Sequence, residues 1–319
     1  MTLLRNKFFV LLLGLLTACP AGAGLFGIAP KDRQEFVQAR KLYEEGRYEQ
    51  AVTALSAYIY KTEKIKRREA RAYRLLGLSY EQLNKPGKAL ETYLEALEFH
   101  DDNIPLLLVA AALYQRTQLL DRSIELYNRV LKLEPDNAEA LAGQAVNYLR
   151  MGFYSKSRQY FDRFFALSPQ APAKYRAAYA YAFFKQRDFE NAFINITMAK
   201  TEDVKNPAYW LLSARAYKEL GKIQEALADL DIAASLSPQD GEIKAVKIMW
   251  LYQDGQTEAS LQAARELLKE NPNNELALFM VYMNLKDSKP KQARAALTKI
   301  KELNNDSFAN RVAQKILEK

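Results

Sequence analysis

The sequence predicts an all-α solenoid, and three observations point there. The 319-residue chain repeats itself. The segments RKLYEEGRYEQAVTAL from Arg40, YRLLGLSYEQLNKPGKALETYLEAL from Tyr73 and AALYQRTQLLDRSIELYNRVLKLEP from Ala111 are variants of one pattern. So are QAVNYLRMGFYSKSRQYFDRFFALSP from Gln144, YAFFKQRDFENAFINI from Tyr181 and WLLSARAYKELGKIQEALADLDIAASLSP from Trp210. A period of this length marks stacked repeats. Small residues such as Gly77 and Ala89, or Ala214 and Ala226, alternate with large ones such as Tyr80 and Tyr93 at fixed offsets. Small side chains let two helix axes cross closely, and large ones fill the space between successive helices. Pro135, Pro169, Pro238 and Pro272 close repeats, because proline lacks an N–H and ends a helix.

These residues resemble the tetratricopeptide repeat, a 34-residue pair of antiparallel helices. In the sixth unit Trp210, Ala214, Tyr217, Gly221, Ala226, Leu230, Ala233 and Pro238 fall at positions 4, 8, 11, 15, 20, 24, 27 and 32 of that repeat. Units begin near 32, 70, 104, 138, 173, 207, 241 and 274, and the resemblance runs from 32 to about 306. It implies a right-handed α-solenoid of about eight helix-turn-helix repeats, residues 32–305. One unit cannot bury its apolar face alone, so stacked neighbours share a core. Asp136-Asn137 and Asn273-Asn274 suit the caps of following helices. Asp101 and Val204 stand where proline is usual, and Ser123 and Ser157 fill a small position. The eighth unit departs furthest, with Tyr282 at a small position and Ala293 alignable only through a shifted turn. Residues 306–319 read as a capping helix with Phe308, Val312, Ile316 and Leu317 apolar.

The N-terminus has its own organisation. Arg5 and Lys7 precede the apolar run Phe8–Leu16, which is about half the length of a membrane span, so residues 1–18 read as a secretion signal. Leu16-Thr17-Ala18-Cys19 resembles the bacterial lipobox, which implies lipidation of Cys19, the one cysteine of the chain. Residues 19–31 then form a flexible tether. Ala21-Gly22-Ala23 offers the alternative, a cleavage site that releases a soluble periplasmic or secreted protein. Pro20 after the cysteine, by the rule for enteric lipoproteins, directs the chain to the outer membrane, facing the periplasm.

Composition excludes several chemistries. One cysteine and one histidine rule out a disulfide framework and a Cys/His metal cluster. No Gly-rich phosphate loop or nucleophile elbow occurs, so no catalytic residue, metal or cofactor is expected. His100 beside Asp101 and Asp102 is explained as a cation at a helix C-terminus. The net charge is +8, but residues 31–75 hold 12 basic against 7 acidic side chains, centred on Lys64–Arg68. The remainder is nearly neutral and the signal leads out of the cytoplasm, so nucleic acid is not an expected partner. The oligomeric state is not legible.

In the repeat family the first helices line a groove through positions 5, 9 and 12. Position 5 reads Phe36, Arg74, Leu108, Ala142, Ala177, Leu211, Ala245 and Leu278 here. From the three positions, Arg40, Tyr43, Arg74, Leu78, Tyr181, Phe184, Arg215, Met249 and Tyr252 are the expected partner-binding residues. An apolar, aromatic groove with scattered arginine suits a peptide or protein segment. No unit carries the Lys-and-Asn pair of the carboxylate-clamping co-chaperones. The expected function is a non-catalytic scaffold for envelope assembly of outer-membrane proteins, pili, secretins or peptidoglycan enzymes. An accessory subunit of an envelope enzyme is the alternative.

Overall fold

The structure, a computed structural model, describes residues 34–63, 69–303 and 305–318. The signal segment, Cys19, the 19–31 tether and Lys64–Arg68 lie outside the described residues. All regular structure among the described residues is helical, and it divides into two units, described here as 34–171 and 172–318.

The first unit holds four hairpins. They are α1 (Gln34–Glu44) with α2 (Tyr48–Glu63), α3 (Ala70–Gln82) with α4 (Pro86–Leu97), α5 (Ile104–Arg116) with α6 (Leu120–Leu133), and α7 (Ala138–Arg150) with α8 (Tyr154–Leu167). The second unit holds α9 (Ala173–Lys185) with α10 (Phe189–Glu202), α11 (Pro207–Glu219) with α12 (Ile223–Leu236), α13 (Gly241–Gln253) with α14 (Thr257–Glu270), and α15 (Glu275–Leu285) with α16 (Pro290–Glu302). It ends in α17 (Phe308–Leu317). Within each unit every helix packs on the next, so the chain is an all-α solenoid of helical hairpins.

Local chemistry sets the hairpins. In the first seven, the turn between the two helices holds a residue with positive φ at one repeat position: Gly46, Asn84, Gln118, Gly152, Arg187, Gly221 and Gly255. This left-handed conformation frees a helix end to reverse, and glycine adopts it without a Cβ clash. No such residue stands between α15 and α16, where the turn runs through Lys286, which keeps a helical φ of −54°. The shifted alignment of Ala293 follows from that different turn. Five first helices begin at a side-chain cap, Asn103, Asn137, Asn206, Asp240 and Asn274, each accepting from a backbone N–H of the first turn.

The core matches the small-and-large pattern. Ala89, Ala214 and Ala226 are fully buried, as are Tyr93 and Phe161 on the second helices, and Tyr127 is buried beside them in the repeat pattern. Gly77 and Gly143 lie directly under Tyr93 and Tyr127. The serines at the small position have an unexpected use. Ser123 Oγ donates to Ala111 O at 2.8 Å, Ser157 to Ala145 O at 2.8 Å and Ser260 to Ile248 O at 3.0 Å, each twelve residues back on the partner helix. Asn147 and Asn284, from the following hairpins, then donate to Ser123 and Ser260 at 2.8 and 3.1 Å.

At the C-terminal end one expectation needs correcting. Phe308 does not pack; it opens α17 and is 75% exposed. Asn310 turns inward instead, donating from Nδ2 to Ile300 O at 2.6 Å, while Ala313, Ile316 and Leu317 join Leu297 and Ile300.

Candidate functional site

Six of the eight residues at position 5, Phe36, Leu108, Ala142, Ala177, Leu211 and Leu278, are buried, while Arg74 and Ala245 keep part of their surface open. Phe36 shows why. Tyr58 of α2 stands 5.7 Å from its ring and the Arg71 guanidinium of α3 lies 5.5 Å over it, so neighbouring helices cover the position. Position 9 stays half-exposed in seven of the eight first helices and position 12 in five.

In the unit 34–171, Arg40, Tyr43, Arg74 and Leu78 are half-exposed on α1 and α3. Arg40 reaches Glu44 at 3.6 Å, and Tyr43 meets Tyr48 edge-on at 5.5 Å. Burial raises the Tyr43 phenol above its ordinary pKa, Tyr48 and Glu81 reinforce the shift, and Arg74 opposes it. Glu81 is held internally. Tyr93 donates to it at 2.6 Å and Arg116 bonds its other oxygen. Arg116 on α5 thereby ties the third hairpin to Glu81 of the second, while the other contacts stay within one hairpin.

In the unit 172–318, Tyr181 and Phe184 stand one turn apart on α9 and pack against the core while keeping part of their surface open. Phe184 also meets Phe189 edge-on at 5.5 Å, and Lys185 Nζ lies 5.9 Å from the Tyr181 ring. Arg215, at the same repeat position on α11, comes within 4.0 Å of Glu242 on α13, with the two side chains 19% and 21% exposed. Burial lowers the pKa of its guanidinium, while Glu242 and then Tyr181 favour the charged form. One turn further, Lys218 Nζ sits 4.8 Å from the Trp250 ring and donates to Gln253 at 2.6 Å. Burial lowers its pKa as well, and Glu219 opposes that shift. Met249 and Tyr252 are half-exposed on α13.

Of the residues singled out from the sequence, Tyr181, Phe184, Arg215, Met249 and Tyr252 thus share the first helices of three successive hairpins in one unit. Arg40, Tyr43, Arg74 and Leu78 lie in the other. Lys185, Lys218, Glu242 and Trp250 were not singled out. Glu242 was detectable, being two turns before Met249 and so on the same helix face. Among the described residues no helix is long and apolar enough to cross a membrane, and no group of three or more His, Cys, Asp or Glu stands ready for a metal ion.

Paired helices stacked in series, with side chains presented from the first helix of each pair, define a helical-repeat protein whose fold serves macromolecular contact. Family models described as tetratricopeptide repeat match residues 36–104, 108–172 and 185–283. The chain belongs to the tetratricopeptide repeat family. A search of curated proteins returned no match. Among solved structures, a tetratricopeptide repeat protein from Parabacteroides merdae is similar over 79% of this chain and 100% of its own, with 19% identity and a TM-score of 0.57. PilW, described as a type IV pilus biogenesis factor, is similar over 65% of this chain and 96% of its own, with 19% identity and a TM-score of 0.57. YrrB, described as having an unusual peptide-binding site, is similar over 59% of this chain and 97% of its own, with 16% identity and a TM-score of 0.53. At these identities the likeness is one of fold.

Proposed function

We propose that the chain is a non-catalytic scaffold that docks a peptide or protein segment on its first-helix face. In this reading a lipid on Cys19 tethers it to the bacterial envelope, in the outer membrane and facing the periplasm. The observation that carries the docking reading is the row Tyr181, Phe184, Arg215, Met249 and Tyr252. It is half-exposed on the first helices of consecutive hairpins in a family of interaction modules. Tyrosine and arginine are the side chains that most often dominate interface energy. The peptide site in the description of YrrB and the pilus role in that of PilW favour the same kind of work, envelope assembly included.

The double variant Tyr181→Ala with Arg215→Ala tests the docking reading. Capture of the partner from envelope extract should fall strongly, since truncation of such residues costs about 2 kcal/mol or more each. Helical circular dichroism should persist, with a lowered melting temperature because Tyr181 packs on the core. Undiminished capture with intact helicity would place the working surface elsewhere.

The tether is tested separately. Cys19→Ala should abolish palmitate labelling, and should leave the precursor unprocessed at that site or move the protein to the soluble fraction. Labelling equal to wild type would mean that Cys19 does not carry the lipid.

A further inference from the structure

The face built by α9, α11 and α13 is charged as well as aromatic. Arg215 and Lys218 stand one turn apart on α11, and Lys185 lies on α9 beside Tyr181. These three cations outnumber Glu242 and Glu219, the carboxylates that act on Arg215 and Lys218. Arg215 is four-fifths buried. A guanidinium so shielded attracts a carboxylate more strongly than one in open water, because the surrounding dielectric is lower. Glu242 meets Arg215 from the next first helix, so the pair bridges α11 and α13, two of the helices that a segment lying over α9, α11 and α13 would cross. The Glu242 side chain is 21% exposed and so keeps some contact with solvent. Met249 and Tyr181 supply apolar surface on either side.

We propose that this face takes an acidic peptide segment, one that places a carboxylate on Arg215 and apolar side chains on Tyr181 and Met249, and that Glu242 is an internal competitor which the incoming carboxylate displaces. The assignment rests on the reading of the first-helix face as the docking surface. Charge complementarity selects the partner. A basic segment would bring like charge against Arg215, Lys185 and Lys218, and a neutral one would have to leave the Arg215–Glu242 pair in place.

The experiment measures fluorescence anisotropy with the full chain in detergent and short labelled peptides that alternate leucine with aspartate, asparagine or lysine. The aspartate peptide should bind at least about tenfold more tightly than the other two, and its binding should weaken as salt is raised. Arg215→Gln should weaken the aspartate peptide by about tenfold, and Arg215→Lys by less. Glu242→Gln should tighten it by about threefold or more, since the competitor is gone. A merely structural role for the ion pair predicts weaker binding in both Arg215→Gln and Glu242→Gln, so weakened or unchanged binding in Glu242→Gln overturns the proposal. Equal binding of the asparagine peptide removes the acidic preference and leaves the docking reading standing. Failure of all three peptides to bind removes both. Binding to phosphatidylglycerol vesicles that Arg215→Gln abolishes, without peptide binding, would assign the cations to a lipid surface and overturn the proposal.

Discussion

Replacing Gly77 with alanine should destabilise the unit 34–171, although the same change in an open helix interior stabilises. On helix propensity alone, alanine gains about 0.5–1 kcal/mol over glycine. At Gly77 a Cβ would fall 2.1 Å from Tyr93 Cε1 and 2.6 Å from Cζ, separations that no real packing tolerates. Tyr93 is fully buried and its hydroxyl is committed to Glu81, so the ring has little room to retreat. Overpacking of this kind costs about 1–3 kcal/mol, which exceeds the propensity gain. Gly87, near the start of α4, is the control. Nothing lies within 4 Å of its Cβ position, and Gly87→Ala should be neutral or stabilising. Urea midpoints decide the matter. Gly77→Ala unfolding at or above the wild-type midpoint would mean that Tyr93 does not seat on this glycine. Gly77→Ala combined with Tyr93→Leu should recover part of the loss, because the two residues share one contact.

A second large effect is expected at Lys200 and Asp229. Lys200 Nζ lies 2.8 Å from Asp229 Oδ2 and 2.9 Å from Ser213 Oγ, and 4.3 Å from the Trp210 ring. The two side chains are 12% and 11% exposed. The pair ties α10 to α12, the second helices of two successive hairpins. Breaking a shielded pair strands one charge, at a cost of about 3–5 kcal/mol, whereas replacing both partners with apolar groups is often neutral or better. Asp229→Ala should therefore lower the urea midpoint strongly, and the double variant Lys200→Met with Asp229→Leu should return close to wild type. A single-variant loss within about 0.5 kcal/mol would show that water reaches the pair in solution.

These two sites also show what the sequence revealed and what it withheld. Helix pairs, their phase and the residues that end them were readable, because proline, glycine and cap side chains act within a few residues of their own position. Asn137 and Asn274 cap their helices as expected. The Lys200–Asp229 pair was invisible, since its partners are 29 residues apart and each looks like an ordinary surface charge in the sequence. Ser123 passed for a merely tolerated small residue. Its hydroxyl proved to bond the crossing helix and to receive Asn147 from the next hairpin, a relation that only packing creates. Position 5 comes from the repeat family, whose pattern names a face but not what covers it in this chain: neighbouring helices bury Phe36, while Arg74 stays half-exposed. For the candidate site, position 9 pointed to Tyr181 and Arg215, while the charge pattern that surrounds them came from Lys185, Lys218 and Glu242 on three different helices.

Site-specific cross-linking tests the docking surface most directly. The photoreactive p-benzoylphenylalanine is placed at Tyr181 or Met249 on first helices, and at Ile194, which is exposed on the second helix α10, as the comparison. Irradiation in intact cells should give one discrete cross-linked protein from Tyr181 and Met249, and none from Ile194. Cross-links from Ile194 with none from the first helices would contradict the account, because the partner would then sit on the opposite face of the hairpins.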